Sequence, residues 1–418
     1  AAKEAREAFM ASNVGSGIDV FFGGGTFDFI AQAQAGRLVD SGLLKSHADW
    51  FTDAVIPQRY TGEDYWDKDG RWFGSVLSSY GIIYNRDSLR RLGLNHELTQ
   101  WADLADPRLL GEVALCDPTK SGSIAAAFEN VIQQQMQLRL QALQAANPAG
   151  DAKAQEAQAI REGWVAGLRL MQLIGANSRY FTDTSQKPPI DVAAGNCAVG
   201  MCIDFYGRQQ AEAVQRRDNS NRLGFVSPPG GTAYSVDPIA LLRGAPNREV
   251  GVAFMEYVLS MEGQKLWNFK PETPGGPARF ALRRLPVRRD FYAHDEWKPF
   301  RSDPDASPYT EPNQLIYHDA WTGKIFREMA FIIRVMCQDT HGELVQAWRA
   351  VLAAPEPVRA QALAALQDMS AVEYDRVGGD IHQALGSKNK VDGINLANEL
   401  GAAFRRNYAR AEEIAKGN

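Results

Sequence analysis

The chain has 418 residues, 45% of them hydrophobic and 23% charged. These are globular proportions for two or three folding units, and they exclude collagen-like, disordered and disulfide-scaffold classes. Lys and Arg number 45 against 50 Asp and Glu, a formal charge of −5, so nothing draws the whole chain toward nucleic acid.

Residues 1–13 (AAKEAREAFMASN) are rich in helix formers and predict a helix. IDVFF (18–22) reads as a strand, followed at once by GGGT and a helical stretch over 27–38. Strand, Gly-rich turn and helix make one half of a βαβ unit. A loop region rich in aromatics (Tyr60, Tyr65, Trp66, Trp72, Phe73) precedes an extended segment from Val76, which runs into a short helix ending near Leu94. GEVALCD (111–117) is a strand, PTKSGS a turn, and 121–143 a helix with a Ser/Gly start. Residues 144–160 are polar and Ala/Gln-rich, with a break at Asn147-Pro148, and 162–174 is helical again. A strand near 198–204 leads into another helix. Leu223–Val226 and Ser235–Leu242 are extended and separated by PPGGT, and 250–269 is a single amphipathic helix. Residues 270–320 read as ordered but irregular. From Trp321 onward the pattern is helical, with breaks near Ala354-Pro355 and Gly378-Gly379. No internal repeat is evident. Strands alternating with helices predict an α/β architecture with mostly parallel sheets.

The four cysteines (Cys116, Cys197, Cys202, Cys337) show no CxxC spacing, and four buried thiols are expected. No apolar run reaches 18 residues, so no membrane span is expected, and no signal peptide is visible.

Three strand-to-helix junctions are small and polar: Gly23-Gly24-Gly25-Thr26, Ser121-Gly122-Ser123, and the stretch around Asp204. Glycines permit φ > 0, so successive backbone N–H groups can face one cavity. A helix N-terminus adds free donors and partial positive charge, enough to hold a phosphate, phosphonate or carboxylate without Lys or Arg. Ser121 and Ser123 also fit plain helix caps. Asp204 reads equally as a cap or as a ligand group, and Asp183 as part of a polar loop or of a ligand wall. Tyr80, Tyr206 and Tyr234 fit packing better than ligand contact. GGGTFDF lacks the ending of a P-loop, and GxGxxG does not follow IDVFF. Six His without HExxH spacing and the absence of GxSxG disfavour zinc-protease and lipase-like chemistry. The acidic loop around Trp66 reads as a solvated turn, with calcium as the sharper alternative.

IDVFFGGG…AGRLVDSGLL, GSVLSSYGIIYNRD, ALCDPTKSGSIAAAF, VAAGNCAVGMCIDFYG, YSVDPIALLRGAPN and FMEYVLSMEGQKLW resemble, in the same serial order over 17–269, extracellular solute-binding proteins of ABC importers. The similarity is to members that bind ferric iron, phosphonates and phosphosugars. The resemblance implies an α/β, two-lobed Venus-flytrap fold of type II with hinge crossovers and a ligand cleft. Lobe 1 would comprise 1–79 and 238–330, lobe 2 would comprise 80–237, and a helical C-terminal extension, 331–418, would pack mainly on lobe 1. It places Gly23, Gly24, Gly25, Thr26, Ser78 and Ser79 on the first lobe's cleft edge. Ser121, Gly122, Ser123, Asp183, Asp204 and Tyr206 fall to the second lobe, and Asp237 to the return hinge. It implies a monomeric periplasmic or lipid-tethered receptor that delivers a small anion to an ABC permease. No catalytic residue, metal site, cofactor, nucleic acid or membrane span is expected.

Two departures matter. Ferric-binding members carry a tandem Tyr pair, and no Tyr-Tyr occurs here; Asp204, Asp183 and one Tyr remain as oxygen ligands for the iron alternative. Only a helix precedes the IDVFF strand, so a first strand and any signal peptide are expected to lie outside this chain. An enzyme related to porphobilinogen deaminase, with Cys197 or Cys202 carrying a cofactor, is a further alternative.

Overall fold

The computed structural model describes residues 2–12 and 14–417. The N-terminal helix spans Ala2–Ala11, and the ends expected for it, Ala1 and Asn13, lie outside the described residues. In chain order the strands are β1 (Val20–Phe22), β2 (Leu38–Val39), β3 (Arg59–Tyr60), β4 (Glu63–Asp64), β5 (Phe73–Ser78), β6 (Tyr80–Asn85), β7 (Val113–Cys116), β8 (Ser178–Thr182), β9 (Val199–Ile203), β10 (Leu223–Val226), β11 (Ser235–Leu242) and β12 (Leu285–Pro286). The chain divides into two units, Ala1–Ser79 with Ala233–Pro312, and Tyr80–Thr232 with Asn313–Asn418.

The first unit is built on a sheet of order β1-β11-β5-β12, with β2 also paired to β11. Every pairing in it is antiparallel. Because β11 opposes both neighbours, β1 and β5 run the same way and send their carboxyl ends toward one edge. Pro238 interrupts β11: it has no N–H to give the ladder, and the register shifts between Asp237 and Pro238. The shift leaves Ser75 of β5 as the extra residue. Its hydroxyl donates to the Asp237 carbonyl at 2.7 Å, and Gln264 Nε2 donates to its carbonyl at 2.8 Å. The core beneath this sheet gathers Phe29, Leu77, Val236, Ile239 and Met255.

The second unit holds a sheet of order β10-β6-β9-β7-β8. Only β7–β8 and β7–β9 are parallel, so the expectation of mostly parallel sheets is corrected. The chain switches direction through β6, which runs antiparallel to both β9 and β10. Two 25-residue helices, Gly122–Ala146 and Ala152–Ala176, pack closely on this unit. They approach through Gly163 and Gly167, where an added Cβ would fall 2.3 Å from Met136 Cα and 2.7 Å from Ile132 Cα. The second helix begins ten residues before the predicted start, at an Asp151 cap whose carboxylate accepts from Lys153 N. β8 and the helix Lys187–Ala194 are further elements the pattern did not predict. The amphipathic run expected over 250–269 is two helices, Arg248–Leu259 and Met261–Asn268. They break at Ser260, which is extended (ψ 162°) and caps the second through Gly263 N.

The domain boundaries are corrected at two places. The return crossing falls between Thr232 and Ala233, so Asp237 lies inside the first unit's sheet rather than in a hinge. A third crossing after Pro312 returns the chain to the second unit, and the C-terminal extension packs there instead of on the first. The reason is apolar burial. Trp321, Ile333, Trp348, Leu366, Phe404 and Tyr408 join one core with Phe128, Trp164 and Met171. Gly175 leaves room for Cys337, whose Sγ would lie 2.7 Å from an added Cβ. Trp164 Nε1 donates to Val372 O at 2.8 Å and Gln172 Nε2 to Leu366 O at 3.0 Å.

Candidate functional site

In the second unit the chain runs from β7 to β8 on one side and then to β9 on the other side of β7. That reversal is a topological switch point, and ligands of α/β sheets bind outside the carboxyl ends of the strands at such points. The residues that follow those ends include the predicted Ser121, Asp183, Asp204 and Tyr206. After β7 come Asp117 to Ser121, after β8 comes Asp183, and after β9 come Asp204 to Tyr206. Lys120 Nζ lies 3.4 Å from Asp183 Oδ1, and Gln186 Nε2 donates to Tyr206 OH at 2.9 Å, so the loops after these strands are joined to one another.

Several of these groups are occupied. Ser121 is the N-cap of the helix Gly122–Ala146, its Oγ accepting from Ile124 N at 3.4 Å. Gly122 and Ser123 form the first helical turn, and a Cβ at Gly122 would meet open space. Asp117 is buried and holds the loop through Thr119 N (2.8 Å) and Thr119 Oγ1 (2.6 Å). Gln338 of the C-terminal extension donates to its other oxygen at 3.3 Å. Asp204 is the first residue of its helix, accepts from its neighbour Phe205 N at 2.8 Å, and is bonded by Arg208 Nη2 at 2.7 Å. Its side chain is 1% exposed. A buried carboxylate needs such a partner, so Asp204 is held as an ion pair rather than presented as a bare anionic ligand group. Tyr180 turns its hydroxyl to Asp191, and burial foremost, with that carboxylate, pushes its phenol up.

In the first unit the Gly23–Thr26 turn sits at the carboxyl end of β1. Gly23 (φ 85°) and Gly24 (φ 99°) occupy left-handed backbone that a side chain would strain. Gly23 N donates to Pro238 O at 2.9 Å, which fastens the turn beside Asp237. Gly25 caps the helix Thr26–Gln34 with no side-chain hydrogen bond, and Cβ atoms at Gly23, Gly24 and Gly25 would meet nothing within 4 Å. Ser78 and Ser79 are buried at the end of β5. Sequence reasoning missed Arg284. Its Nη2 donates to Ser78 Oγ at 2.8 Å and pairs with Asp237. The available signal was the register: Leu285 opposes Leu77, which puts the preceding residue beside Ser78.

Other residues singled out by the sequence have local partners. All four cysteines are free and buried, and burial raises the thiol of Cys116 to about 11. Burial likewise raises Cys197 and Cys202, which disfavours their thiolate forms. His47, His294 and His382 pair with Glu256, Glu296 and Glu328. In the acidic loop Arg71 binds Asp67 at 2.6 Å and Asp69 at 3.0 Å. Tyr234 donates to Glu311 at 2.7 Å. No described helix is long and apolar enough to cross a membrane.

An uncharacterized protein of Haemophilus influenzae is 27% identical over 249 residues, 59% of this chain and 60% of that protein. Iron uptake protein A2 of Synechocystis sp. is 21% identical over 220 residues, 50% of this chain and 55% of the relative. The chain therefore spans less than two thirds of the length of either. Among solved structures, the fructose-6-phosphate-bound periplasmic binding protein AfuA of Actinobacillus pleuropneumoniae matches with TM-score 0.46 and 18% identity, over 79% of this chain and 81% of that one. Apo ferric ion-binding protein A of Pasteurella haemolytica matches with TM-score 0.49 and 13% identity, over 78% and 84%. The family model for the bacterial extracellular solute-binding protein matches residues 23–298, more than half of the sequence, and the chain belongs to that family.

Proposed function

We propose that the chain is the solute-binding receptor of an ABC importer, a monomer working in the periplasm or tethered there by lipid. Its solute is a small organic anion with a phosphate or phosphonate end, and the protein performs no chemistry on it. The observation that carries this reading is the first unit's site edge. There an open Gly23–Gly25 turn leads into a helix N-terminus without a side-chain cap, and Arg284 stands at the ends of β5 and β11. Backbone donors, a helix dipole and a guanidinium all favour an anion.

The iron reading draws support from the name of the Synechocystis relative. Against it, the oxygen donors it would use are held in separate pairs: Asp204 with Arg208, Asp183 with Lys120, and Tyr180 with Asp191. Among the described residues no group of three or more His, Cys, Asp or Glu is placed to hold a metal ion. The enzyme reading needs a reactive thiol, and burial raises the thiols of Cys197 and Cys202.

Calorimetric titration with glucose 6-phosphate, 2-aminoethylphosphonate, 3-phosphoglycerate and Fe³⁺ tests the proposal. Saturable binding of a phosphorylated probe without metal is expected. Binding of Fe³⁺ alone, with no anion dependence, would overturn it.

A further inference from the structure

Arg284 is brought to the site edge by strand register and kept there by two partners from different strands, Ser78 of β5 and Asp237 of β11. Its neighbour Arg283 adopts φ 54° and faces elsewhere, binding Asp303 at 2.5 Å. Arg283 is thus committed to Asp303 and Ser302, and Arg284 to Ser78 and Asp237. The Arg284 and Asp237 side chains are 14% and 24% exposed, so the pair is partly open to solvent. The residue after Asp237 fastens the Gly23 turn, whose Cβ positions face open space.

We propose that Arg284 reads the anionic group of the solute and that Asp237 is an internal anion which this group displaces. The inference rests on the anion-receptor reading above. A guanidinium presents five donors in a rigid fork, and a carboxylate fills part of it with one negative charge. A phosphate monoester brings about two charges and three acceptor oxygens near neutral pH, so it competes well for the fork. A monocarboxylate offers no more than Asp237 already supplies. The pair therefore selects phosphate and phosphonate ends over simple carboxylates, and Asp237 supplies the selection by opposing weak anions.

The test is calorimetric titration of the full chain with glucose 6-phosphate, 2-aminoethylphosphonate and gluconate, for wild type, R284Q, D237N and the double variant. Wild type is expected to prefer the phosphorus-bearing probes. R284Q should lose at least tenfold in affinity for them. D237N should gain at least threefold for gluconate, with a smaller gain for the phosphorus-bearing probes, and that gain should vanish in the double variant. Wild-type affinity in R284Q, or a D237N loss as large as that of R284Q, would overturn the inference while leaving the receptor reading intact. Failure of the wild type to bind any phosphorus-bearing probe would overturn both. Should R284Q not fold, R284K replaces it: a loss of threefold or more supports the fork, and unchanged affinity refutes it.

Discussion

The two units solve the same problem, a strand end opening on a helix N-terminus, in opposite ways. In the first unit the cap is Gly25, which itself supplies no side-chain hydrogen bond to the first turn. In the second it is Ser121, whose hydroxyl already accepts from that turn. Each edge also carries an Arg–Asp pair. Arg208–Asp204 lies within one helix over a carboxylate that is 1% exposed, whereas Arg284–Asp237 joins the residue before β12 to β11 and stays partly open. The second unit's carboxylate is closed off from solvent, and the first unit's pair stays partly open. The cores differ too, since the second is completed by the C-terminal extension.

This contrast can be broken at the core first. Trp164→Ala should destabilise the protein by about 3–5 kcal/mol in denaturant titration. It removes a fully buried indole and its bond to Val372 O, loosening the extension. Undiminished stability would mean that the extension is not part of this core.

The ion pairs come next. Arg208→Ala leaves Asp204 buried without its charge partner and should cost about 3 kcal/mol, against about 1 kcal/mol for Arg284→Ala at the more open pair. Equal melting temperatures for the two variants would erase the distinction between the edges.

A buried carboxyl with a raised value gives the second unit a pH signature. Glu129 accepts from Thr322 Oγ1 at 2.5 Å and Tyr317 OH at 3.2 Å, and burial foremost, with Asp319 nearby, pushes it up to about 7. An acid whose folded value is raised favours its protonated form in the fold. Its contribution is full below the unfolded value near 4.5 and is lost as pH rises through about 7. Glu129→Gln should flatten that loss, worth about 2–3 kcal/mol between pH 5 and 8. Melting curves across that range decide; an unchanged slope in the variant excludes Glu129 as the source.

The smallest effect concerns the caps. Ser121→Ala should cost about 1 kcal/mol of stability. Gly25→Ser should change stability by only a few tenths. It should nevertheless weaken glucose 6-phosphate binding, because its hydroxyl would compete for the first-turn donors. Stronger binding in Gly25→Ser than in Ser121→Ala would reverse the assignment of roles.

What the sequence disclosed depended on how local the signal was. Ser235–Leu242 is bounded by turn residues, and the strand has those limits. The Gly23 turn and the Ser121 start were visible because glycine and cap chemistry act within a few residues. SRYFT follows a helix with only Asn177 between them, so β8 was hidden. Arg284 lies in an irregular stretch, and only pairing with β5 gives it meaning. The extension's helical pattern was plain, but which core would receive its apolar face was decided by Gly175 and Trp164, residues far away in sequence. Asp204 was legible as a residue of interest, and Arg208 one turn later determines its role.

The third crossing, after Pro312, has a consequence for the order in which the molecule can be made. A chain emerging from a ribosome or an export channel presents every residue of the first unit once Pro312 is out. The second unit must then wait for Phe404, Tyr408 and Ala411 before its apolar interior closes. During that interval its incomplete core is the most exposed to aggregation, the hazard of any partly assembled fold. Protection from aggregation during synthesis is therefore needed longest by the second unit.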